Sequence, residues 1–192
     1  IKAPYCIFSY VHKMLPGSFL ELDSNGQINT WKYWDVREQY LSAEINSKSD
    51  DELIKECESL LRESFQLRMV ADVPVGMLLS GGIDSSIVTA LLLEQSTIPL
   101  NTFTIGFDDP KYNEAEHAKK VARHLGTNHT ELYCNEKHFK EIISLLPEIY
   151  DEPFGDSSGI PTFLVSKLAR NHVTVALSAD GGDEVFTGYN RY

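Results

Sequence analysis

The chain has 192 residues, a formal net charge of −11 at pH 7 and a sequence pI of about 4.9. Its basic residues form no cluster, so we expect no nucleic-acid partner, because such binding relies on Lys and Arg that neutralise phosphates. No apolar stretch approaches the length that spans a membrane, so we expect no membrane partner either. The length allows one domain of ordinary size with a small appendage.

The cysteines Cys6, Cys57 and Cys134 are far apart in the sequence and form no C-x-x-C pair. This pattern is typical of reduced thiols in a cytoplasmic protein rather than of disulfides or zinc ligands. No signal peptide is visible, and the chain begins at Ile1 rather than at a methionine. We therefore interpret the chain as a fragment of a cytoplasmic protein.

Residues 1–48 differ from the rest of the chain and contain the pattern of a β-hairpin. Residues 19–23 alternate between apolar and polar, and residues 28–34 can form a returning strand. The turn sequence Ser24-Asn25-Gly26 lies between them, which is a hairpin signal. Residues 38–48 are polar and are predicted to be a linker.

A helix is predicted directly after this linker. Ser49-Asp50-Asp51-Glu52 has the form of a capping box, and the helix is expected to end near Val70, before Pro74. Apolar residues recur along it at helical spacing and predict one face buried in the core. The residues of this predicted face are Leu53, Cys57, Leu60, Leu61 and Phe65.

From residue 74 onward, predicted strands and helices alternate. The predicted strands cover residues 75–79, 100–107, 129–133 and 173–177, and the predicted helices cover 87–94, 114–125, 137–146 and 161–171. This alternation predicts an α/β fold, with a parallel sheet, right-handed crossovers and helices on both faces. Ligands bind such sheets at the carboxyl ends of the strands.

The segment after the first of these strands has a layout suited to holding a phosphate group. Ser80-Gly81-Gly82 follows the strand at once, and Asp84, Ser85 and Ser86 open the next helix. Glycines allow the backbone to approach an anion, and the amide groups and positive end of the helix dipole then face it. The serine hydroxyls can add donors, whereas an ionised Asp84 can hold a divalent ion that bridges phosphate oxygens. The segment lacks the lysine of a Walker loop.

The end of the fourth predicted strand carries a second Gly-Gly pair beside carboxylates, in the segment from Ser178 to Glu184. Its three acids cannot all bind phosphate directly, so a metal ion or a cationic group is required. Asp84 and Asp183 are expected at neighbouring strand ends, where they could share one ion. The alternative interpretation is an acidic surface turn that caps a helix starting at Glu184. Residues 151–162, rich in Pro, Gly, Ser and acid, are predicted to form an irregular loop.

Three stretches together resemble the synthetase domain of the glutamine-hydrolysing asparagine synthetases. They are Ser80 to Ser86, Asp151 to Phe154 with Asp156 to Thr162, and Asp180 to Phe186 with Gly188-Tyr189. The first is common to ATP pyrophosphatases, and the other two are more specific to this family. Thr104-Ile105-Gly106-Phe107 also resembles the second strand of the family.

The resemblance implies a fold of the adenine-nucleotide α-hydrolase type with a PP-loop, preceded by a short β-hairpin remnant. Residues 1–48 would be the end of a glutaminase-like domain and a linker, and residues 49–192 an ATP-pyrophosphatase synthetase domain that is C-terminally incomplete. Residues 1–34 resemble the last strands of the glutaminase domain. The aromatic side chains of Trp31 and Trp34 would then be exposed in this chain.

The resemblance also implies ATP-dependent synthesis of asparagine. The side-chain carboxylate of aspartate attacks the α-phosphorus of ATP, pyrophosphate leaves, and ammonia derived from glutamine displaces AMP. Asp84 and Asp183 would hold Mg²⁺, and Asp180 would lie near the reacting aspartyl group. The residues implied for pyrophosphate are Ser80, Gly81, Gly82, Ser85 and Ser86, and those for adenosine are Leu79, Ile105, Ser178 and Ala179.

The chain also departs from the family pattern. Ala179 stands where the family commonly has glycine. The glutaminase half needs an N-terminal cysteine nucleophile, whereas residue 1 is isoleucine and Cys6 is internal, so glutamine hydrolysis is not expected here. The family's synthetase domain continues past the position of Tyr192 with helices that supply a basic residue. We therefore expect this chain to be inactive alone and to work with a glutaminase domain of the same full-length chain; a homodimer is compatible with the resemblance.

Two other functions fit the same residues. One is a related adenylating amidotransferase, or an enzyme like β-lactam synthetase, that acts on another carboxylate. The other is a non-catalytic nucleotide-binding module that has kept the fold; the intact Asp84 and Asp183 argue against it.

Overall fold

The computed structural model describes residues 1–43, 47–94, 96–109 and 113–189. The chain forms two compact units. One comprises Ile1–Ser49 and Leu146–Gly155, and the other comprises Asp50–Leu145 and Asp156–Tyr192. None of the helices in these described ranges is long and apolar enough to cross a membrane.

The first unit contains the predicted β-hairpin. Strands β1 (Ser18–Leu22) and β2 (Ile28–Lys32) pair antiparallel, with Phe19 opposite Trp31. The turn between them is held by Asp23, whose Oδ1 accepts hydrogen bonds from the amide groups of Asn25 and Gln27 at 2.9 and 2.8 Å. A side chain that bonds its own turn in this way favours a tight reversal.

The aromatic residues of the hairpin lie at the surface. Trp31 is 48% exposed and Trp34 is 52% exposed, as expected. The ring of Phe19 packs on those of Trp31 and Tyr33, with centroid distances of 5.7 and 4.6 Å.

The prediction of a linker over residues 38–48 was partly wrong, because helix α1 covers Val36–Ser42. Asp35 caps it: its carboxylate accepts a hydrogen bond from the Arg37 amide at 2.9 Å and pairs with Lys32. A capping carboxylate satisfies an amide that a helix end leaves without a partner, so a polar sequence can still be helical. Residues 44–46 of the predicted linker lie outside the described residues.

The second unit is built on a four-stranded parallel sheet, which confirms the prediction. Its strands are β3 (Val75–Leu78), β4 (Asn101–Phe107), β5 (Asn128–Cys134) and β6 (Val175–Leu177), in the spatial order β5-β4-β3-β6. The chain moves outward from β3 to β5 and then returns to the other side of β3. The carboxyl ends of β3 and β6 therefore meet where the strand order reverses, which is where open α/β sheets bind ligands.

Helices cover both faces of this sheet, as predicted. On one face are α2 (Asp50–Arg68), α3 (Ile83–Glu94) and α4 (Ala115–Leu125), and α7 (Gly159–Ala169) lies on the other. Met77 packs against Val88 of α3, whereas Phe103 packs against Val165 of α7. Val173, just before β6, is 4% exposed and completes the α7 side of the core.

The prediction that α2 has a buried face was wrong. All residues of this helix are described, and none of them is buried; Leu60 is 61% exposed. Only its C-terminal part reaches the core, where Phe65 and, just beyond the helix, Met69 pack on the cluster around Met77. Cys57 and Leu61 of the predicted face are half-buried, whereas Leu53 and Leu60 are exposed.

The helix predicted over residues 137–146 is shorter than expected. It is α5 (Glu136–Ile143), and a separate turn, α6 (Leu146–Ile149), follows in the first unit. Asn135 and His138 form a capping box that sets the start of α5. The last helix, α8 (Gly182–Phe186), follows β6.

Candidate functional site

The loop between β3 and α3 is short, since β3 ends at Leu78 and α3 begins at Ile83. Regular helix begins at Ile83, so Asp84, Ser85 and Ser86 open the helix as predicted, and the Ser86 amide donates to the Gly82 carbonyl at 3.1 Å. Asp84 and Ser85 therefore belong to the first turn of α3, where the helix leaves its amide groups without intrahelical partners.

The backbone at position 81 requires glycine. Its φ is 84°, and a Cβ at this position would lie 2.8 Å from the backbone carbon of His117 and would overlap the amide of Ala118. The loop thus packs directly against the first turns of α4. No larger residue can adopt this backbone conformation without displacing the loop.

The hydroxyl groups of the loop serines bond mostly to the loop itself. Ser80 Oγ lies 3.0 Å from Ser85 Oγ and accepts the Gly82 amide at 3.2 Å. Ser85 Oγ accepts the Ser80 amide at 3.3 Å, and Ser86 Oγ donates to the Gly82 carbonyl at 2.6 Å. These bonds hold a narrow loop at the carboxyl end of the central strand β3.

The loop after β6 meets this first loop, as predicted from the two strand ends. Strands β3 and β6 are hydrogen-bonded neighbours, with Met77 opposite Leu177. Oδ2 and Cγ of Asp84 lie so close to Gly182 that a Cβ on this glycine would overlap them. Asp183 follows Gly182 directly, so both carboxylates belong to the junction of the two loops.

A second close contact fixes the chain after α8. A Cβ on Gly188 would overlap Oδ1 of Asp183, and the Gly188 amide donates to the Asp183 carbonyl at 3.0 Å. The positive φ of Thr187, 56°, ends the helix and brings Gly188 back over Asp183. Each acidic residue of the junction therefore has its side chain against a glycine: Asp84 against Gly182, and Asp183 against Gly188.

An open cleft of about 890 Å³ lies over these loops, within the second unit. It brings together ten of the predicted site residues: Leu79, Ser80, Gly82, Asp84, Ser85, Ile105, Ser178, Ala179, Asp180 and Asp183. Gly81 and Ser86 are not among the described residues that line it. Gly81 is turned towards α4, and the Ser86 hydroxyl is turned towards the Gly82 carbonyl.

Sequence reasoning missed part of the cleft wall. Thr104 and Phe107 come from β4, and Pro161, Thr162 and Val165 come from α7. The signal for the first pair was their place towards the end of a predicted strand, where side chains reach a ligand site. The signal for the others was the predicted helix over residues 161–171, whose first residues belong to one of the three stretches that carry the family resemblance.

The loop predicted over residues 151–162 is divided between the two units, with residues up to Gly155 in the first and those from Asp156 in the second. Glu152 lies in the first unit, where its carboxylate pairs with Lys13, and this hydrogen bond lowers the pKa of Glu152 below its ordinary value. Ser158 lies in the second unit at the start of α7, and its amide donates to Asp156 Oδ1 at 2.8 Å. Ser158 lines the cleft.

The cleft has an acidic lining. Asp84, Glu114, Asp180 and Asp183 contribute to its wall, and no Lys or Arg does so in the part of the chain that the structure describes. A neighbouring side chain in the same loop orients the Asp180 carboxylate, because Ser178 Oγ donates a hydrogen bond to its Oδ2 at 2.5 Å. Such a hydrogen bond to a charged acceptor is stronger than a neutral one. A polyphosphate bound here would need a cation between itself and these carboxylates.

The carboxylates fit a magnesium ion only together with a substrate. No group of three or more His, Cys, Asp or Glu side chains is arranged to hold a metal among the residues described. Mg²⁺ commonly uses one or two protein carboxylates, phosphate oxygens of the substrate and several waters. Asp84 and Asp183 match this pattern, since both line the cleft beside the first turn of α3, where a helix leaves amide groups without intrahelical partners.

The strand order, the glycine loop before α3 and the paired carboxylates define an α/β protein of the PP-loop, adenine-nucleotide α-hydrolase class. The chain belongs to the asparagine synthase family, whose family model, described as Asparagine synthase, matches residues 56–192.

Among the relatives that match nearly the whole chain are two asparagine synthetases by name. A protein of Methanocaldococcus jannaschii that carries the name of a glutamine-hydrolysing asparagine synthetase is 42% identical over 191 residues, covering 98% of this chain and 36% of its own length. Asparagine synthetase (glutamine-hydrolysing) 1 of Bacillus subtilis is 36% identical over 196 residues, covering 100% of this chain and 29% of its own length. The chain spans about a third of the length of these relatives.

Among solved structures, the NH3-dependent NAD synthetase of Campylobacter jejuni superposes on the chain with a TM-score of 0.48 and 15% identity. The match covers 70% of this chain and 60% of that one.

Proposed function

We propose that the complete protein makes asparagine from aspartate, with ATP as the activating substrate and glutamine as the source of ammonia. The observation that carries the proposal is the junction at the carboxyl ends of β3 and β6, where Asp84 contacts Gly182 beside a glycine loop. Membership of the asparagine synthase family and the names of the relatives support the choice of substrates.

In this proposal the β3–α3 loop binds the pyrophosphate part of ATP. Ser80, Gly81, Gly82, Ser85 and Ser86 form the loop, and the first turn of α3 directs amide groups and its positive dipole end to the same place. Preorganised donors stabilise the negative charge that develops on a leaving group. Attack of the aspartate side-chain carboxylate on the α-phosphorus breaks the bond to pyrophosphate and leaves an acyl-adenylate.

Asp84 and Asp183 would hold Mg²⁺ together with phosphate oxygens of the substrate. When bound there, the ion would neutralise charge on the departing pyrophosphate. The acidic cleft supports this role, because carboxylates without a bridging cation would repel the polyphosphate.

The remaining lining residues would bind the other parts of the substrates. Leu79 and Ile105 would pack on the adenosine, with Ser178 and Ala179 at its edge. Asp180, oriented by the Ser178 hydroxyl, would lie near the acyl-adenylate, where ammonia displaces AMP. A glutaminase domain in the same full-length protein would release that ammonia, and the free thiols of the chain fit a cytoplasmic enzyme. This chain alone would bind nucleotide weakly.

The test is a screen of carboxylate substrates with the complete gene product, measuring release of AMP and pyrophosphate. We expect both products with aspartate, together with asparagine when glutamine or ammonia is present. Release with another carboxylate, and none with aspartate, would indicate a related adenylating amidotransferase. Binding of ATP without either product, for every carboxylate tested, would indicate a non-catalytic module.

A further inference from the structure

The carboxylate of Asp183 is oriented by packing rather than by hydrogen bonds. Asp183 is half-buried and lines the cleft, and no group in the part of the chain that the structure describes donates a hydrogen bond to its carboxylate. Asp180 differs, because the Ser178 hydroxyl donates to its carboxylate. The Asp183 oxygens are therefore left for water or for a cation, and a neighbouring backbone must set their direction.

That neighbouring backbone is Gly188, which also lines the cleft. The three atoms nearest to a Cβ built at position 188 all belong to Asp183. This Cβ would overlap Oδ1, and it would lie 2.9 Å from Cγ and 3.3 Å from Cα. Only a residue without a side chain can therefore lie so close to the carboxylate in its present orientation.

Gly188 is needed for this space and not for its backbone conformation. Its φ lies outside the left-handed region in which glycine has an advantage over other residues. The residue that does have a left-handed backbone is its neighbour Thr187, although a β-branched side chain is unfavourable there. The contact with Asp183 is thus the reason for glycine at position 188 that the structure shows.

Hydrogen bonds of the backbone hold Gly188 in this place. The Asp183 carbonyl accepts the amide of Thr187 and, at 3.0 Å, the amide of Gly188. These bonds close the last turn of α8 over the side chain of Asp183. A side chain at position 188 would therefore move the carboxylate, since the carboxylate can rotate and the bonded backbone cannot.

We propose that Gly188 is a positioning residue for Asp183, whose missing side chain lets the carboxylate point to the magnesium ion that it would share with Asp84. The inference rests on the proposed function for the identity of the ion. The contact between Gly188 and the Asp183 side chain can be tested without it.

The experiment compares Gly188→Ala, Asp183→Ala and the double variant in the complete gene product. Gly155→Ala is the matched control, because Gly155 also has no left-handed backbone, a Cβ there meets no atom within 4 Å, and it is outside the cleft lining. Both glycine substitutions restrict the unfolded chain to the same extent. Calorimetry measures the affinity for ATP with and without magnesium, and urea-induced unfolding measures stability.

We expect Gly188→Ala to lower the affinity for ATP with magnesium roughly tenfold, as is usual for an indirect partner of a metal site. The affinity without magnesium should stay the same, and Gly155→Ala should bind as the wild type does. In the Asp183→Ala background, Gly188→Ala should cause no further loss, since residues that act through each other are not additive. It should likewise lower the urea midpoint only when the Asp183 side chain is present.

Four results would overturn the proposal. Wild-type affinity in Gly188→Ala would show that the contact does not position the carboxylate. An equal loss with and without magnesium would mean that the new methyl group excludes the nucleotide itself. A loss in the Asp183→Ala background as large as in the wild type would assign the effect to another residue. If Gly188→Ala does not fold, the double variant should still fold, because the overlapped side chain is gone; failure of both would be the fourth result.

Failure of the proposed function would look different. Wild-type dependence on magnesium in Asp183→Ala would refute the metal role of Asp183. The urea midpoints of the single and double variants would still decide whether Gly188 positions the Asp183 side chain.

Discussion

The carboxylate of Asp84 lies directly against the Cα of Gly182, although the two residues are on different strand ends far apart in the sequence. The contact joins the loop that opens α3 to the loop that opens α8. It brings the acidic residues of both loops to one side of a cleft whose other wall comes from β4 and α7. The first prediction follows from this junction.

Replacing either acid of the junction by its amide, in Asp84→Asn or Asp183→Asn, should weaken the magnesium-dependent binding of ATP. We expect a loss of about tenfold or more, since even indirect partners of a metal site are worth roughly 10- to 100-fold. Calorimetry on the complete gene product, with and without magnesium, measures it. Glu184→Gln is the matched control, because Glu184 adjoins Asp183 but bonds to the Tyr189 hydroxyl, outside the cleft lining. Wild-type affinity and activity in both aspartate variants would contradict a metal role.

Gly81→Ala should destabilise the protein and displace the pyrophosphate loop. The substitution combines a left-handed backbone, φ 84°, with overlap against the backbone of α4, and we expect a loss of roughly 2–3 kcal/mol in unfolding free energy. Urea-induced unfolding followed by circular dichroism measures this.

Gly126→Ala separates the two causes. Gly126 also has a left-handed backbone, φ 73°, but a Cβ there meets no atom within 4 Å. Alanine at this helix end should therefore cost only about 1 kcal/mol. Equal losses for the two variants would show that the contact with α4 contributes nothing.

Acid should destabilise the second unit through His129. Burial lowers the pKa of His129, an effect that Glu131 opposes and Lys119 reinforces, and Thr102 Oγ1 lies 2.8 Å from its Nδ1. Because the folded pKa is below the unfolded value of about 6.5, the unfolded chain binds the proton more readily. The free energy of unfolding should therefore fall as the pH drops below about 6.5, until the folded form also titrates.

His129→Asn removes this titration while leaving an acceptor near Thr102. The variant should show a flatter dependence of unfolding free energy on pH between about 7.5 and 5. The same slope in variant and wild type, measured by urea titration at a series of pH values, would refute the role of His129.

Cys134 should react slowly with thiol reagents in the native protein. It is 2% exposed, and burial, with the nearby charge of Asp108, raises the pKa of its thiol. The thiolate is the reactive form, so both effects slow alkylation. Mass spectrometry after brief treatment with iodoacetamide should find Cys134 unmodified until denaturant is added, while Cys6 and Cys57, which are only partly buried, react first. Early modification of Cys134 would contradict this.

Local patterns in the sequence were sufficient for the hairpin and for the parallel sheet. Apolar runs of strand length, helical spacing and glycine at the turns each depend on neighbours a few residues away, and the strands came within a few residues of their predicted bounds. The cap at Asp35 shows the limit of this reasoning, because a polar stretch was interpreted as a linker although one capping side chain makes it helical.

Sequence patterns were thus enough to predict the fold class, the family resemblance and ten of the residues that line the cleft. Which apolar stripe is buried depends on the packing of the whole unit: α2 has the periodicity of a buried helix, but it packs on the core at its C-terminal end. That packing also places Asp84 against Gly182 and turns the Ser85 hydroxyl into its own loop. Contacts of this kind depend on how segments that are far apart in the sequence pack together. Patterns among neighbouring residues carry no information about that packing.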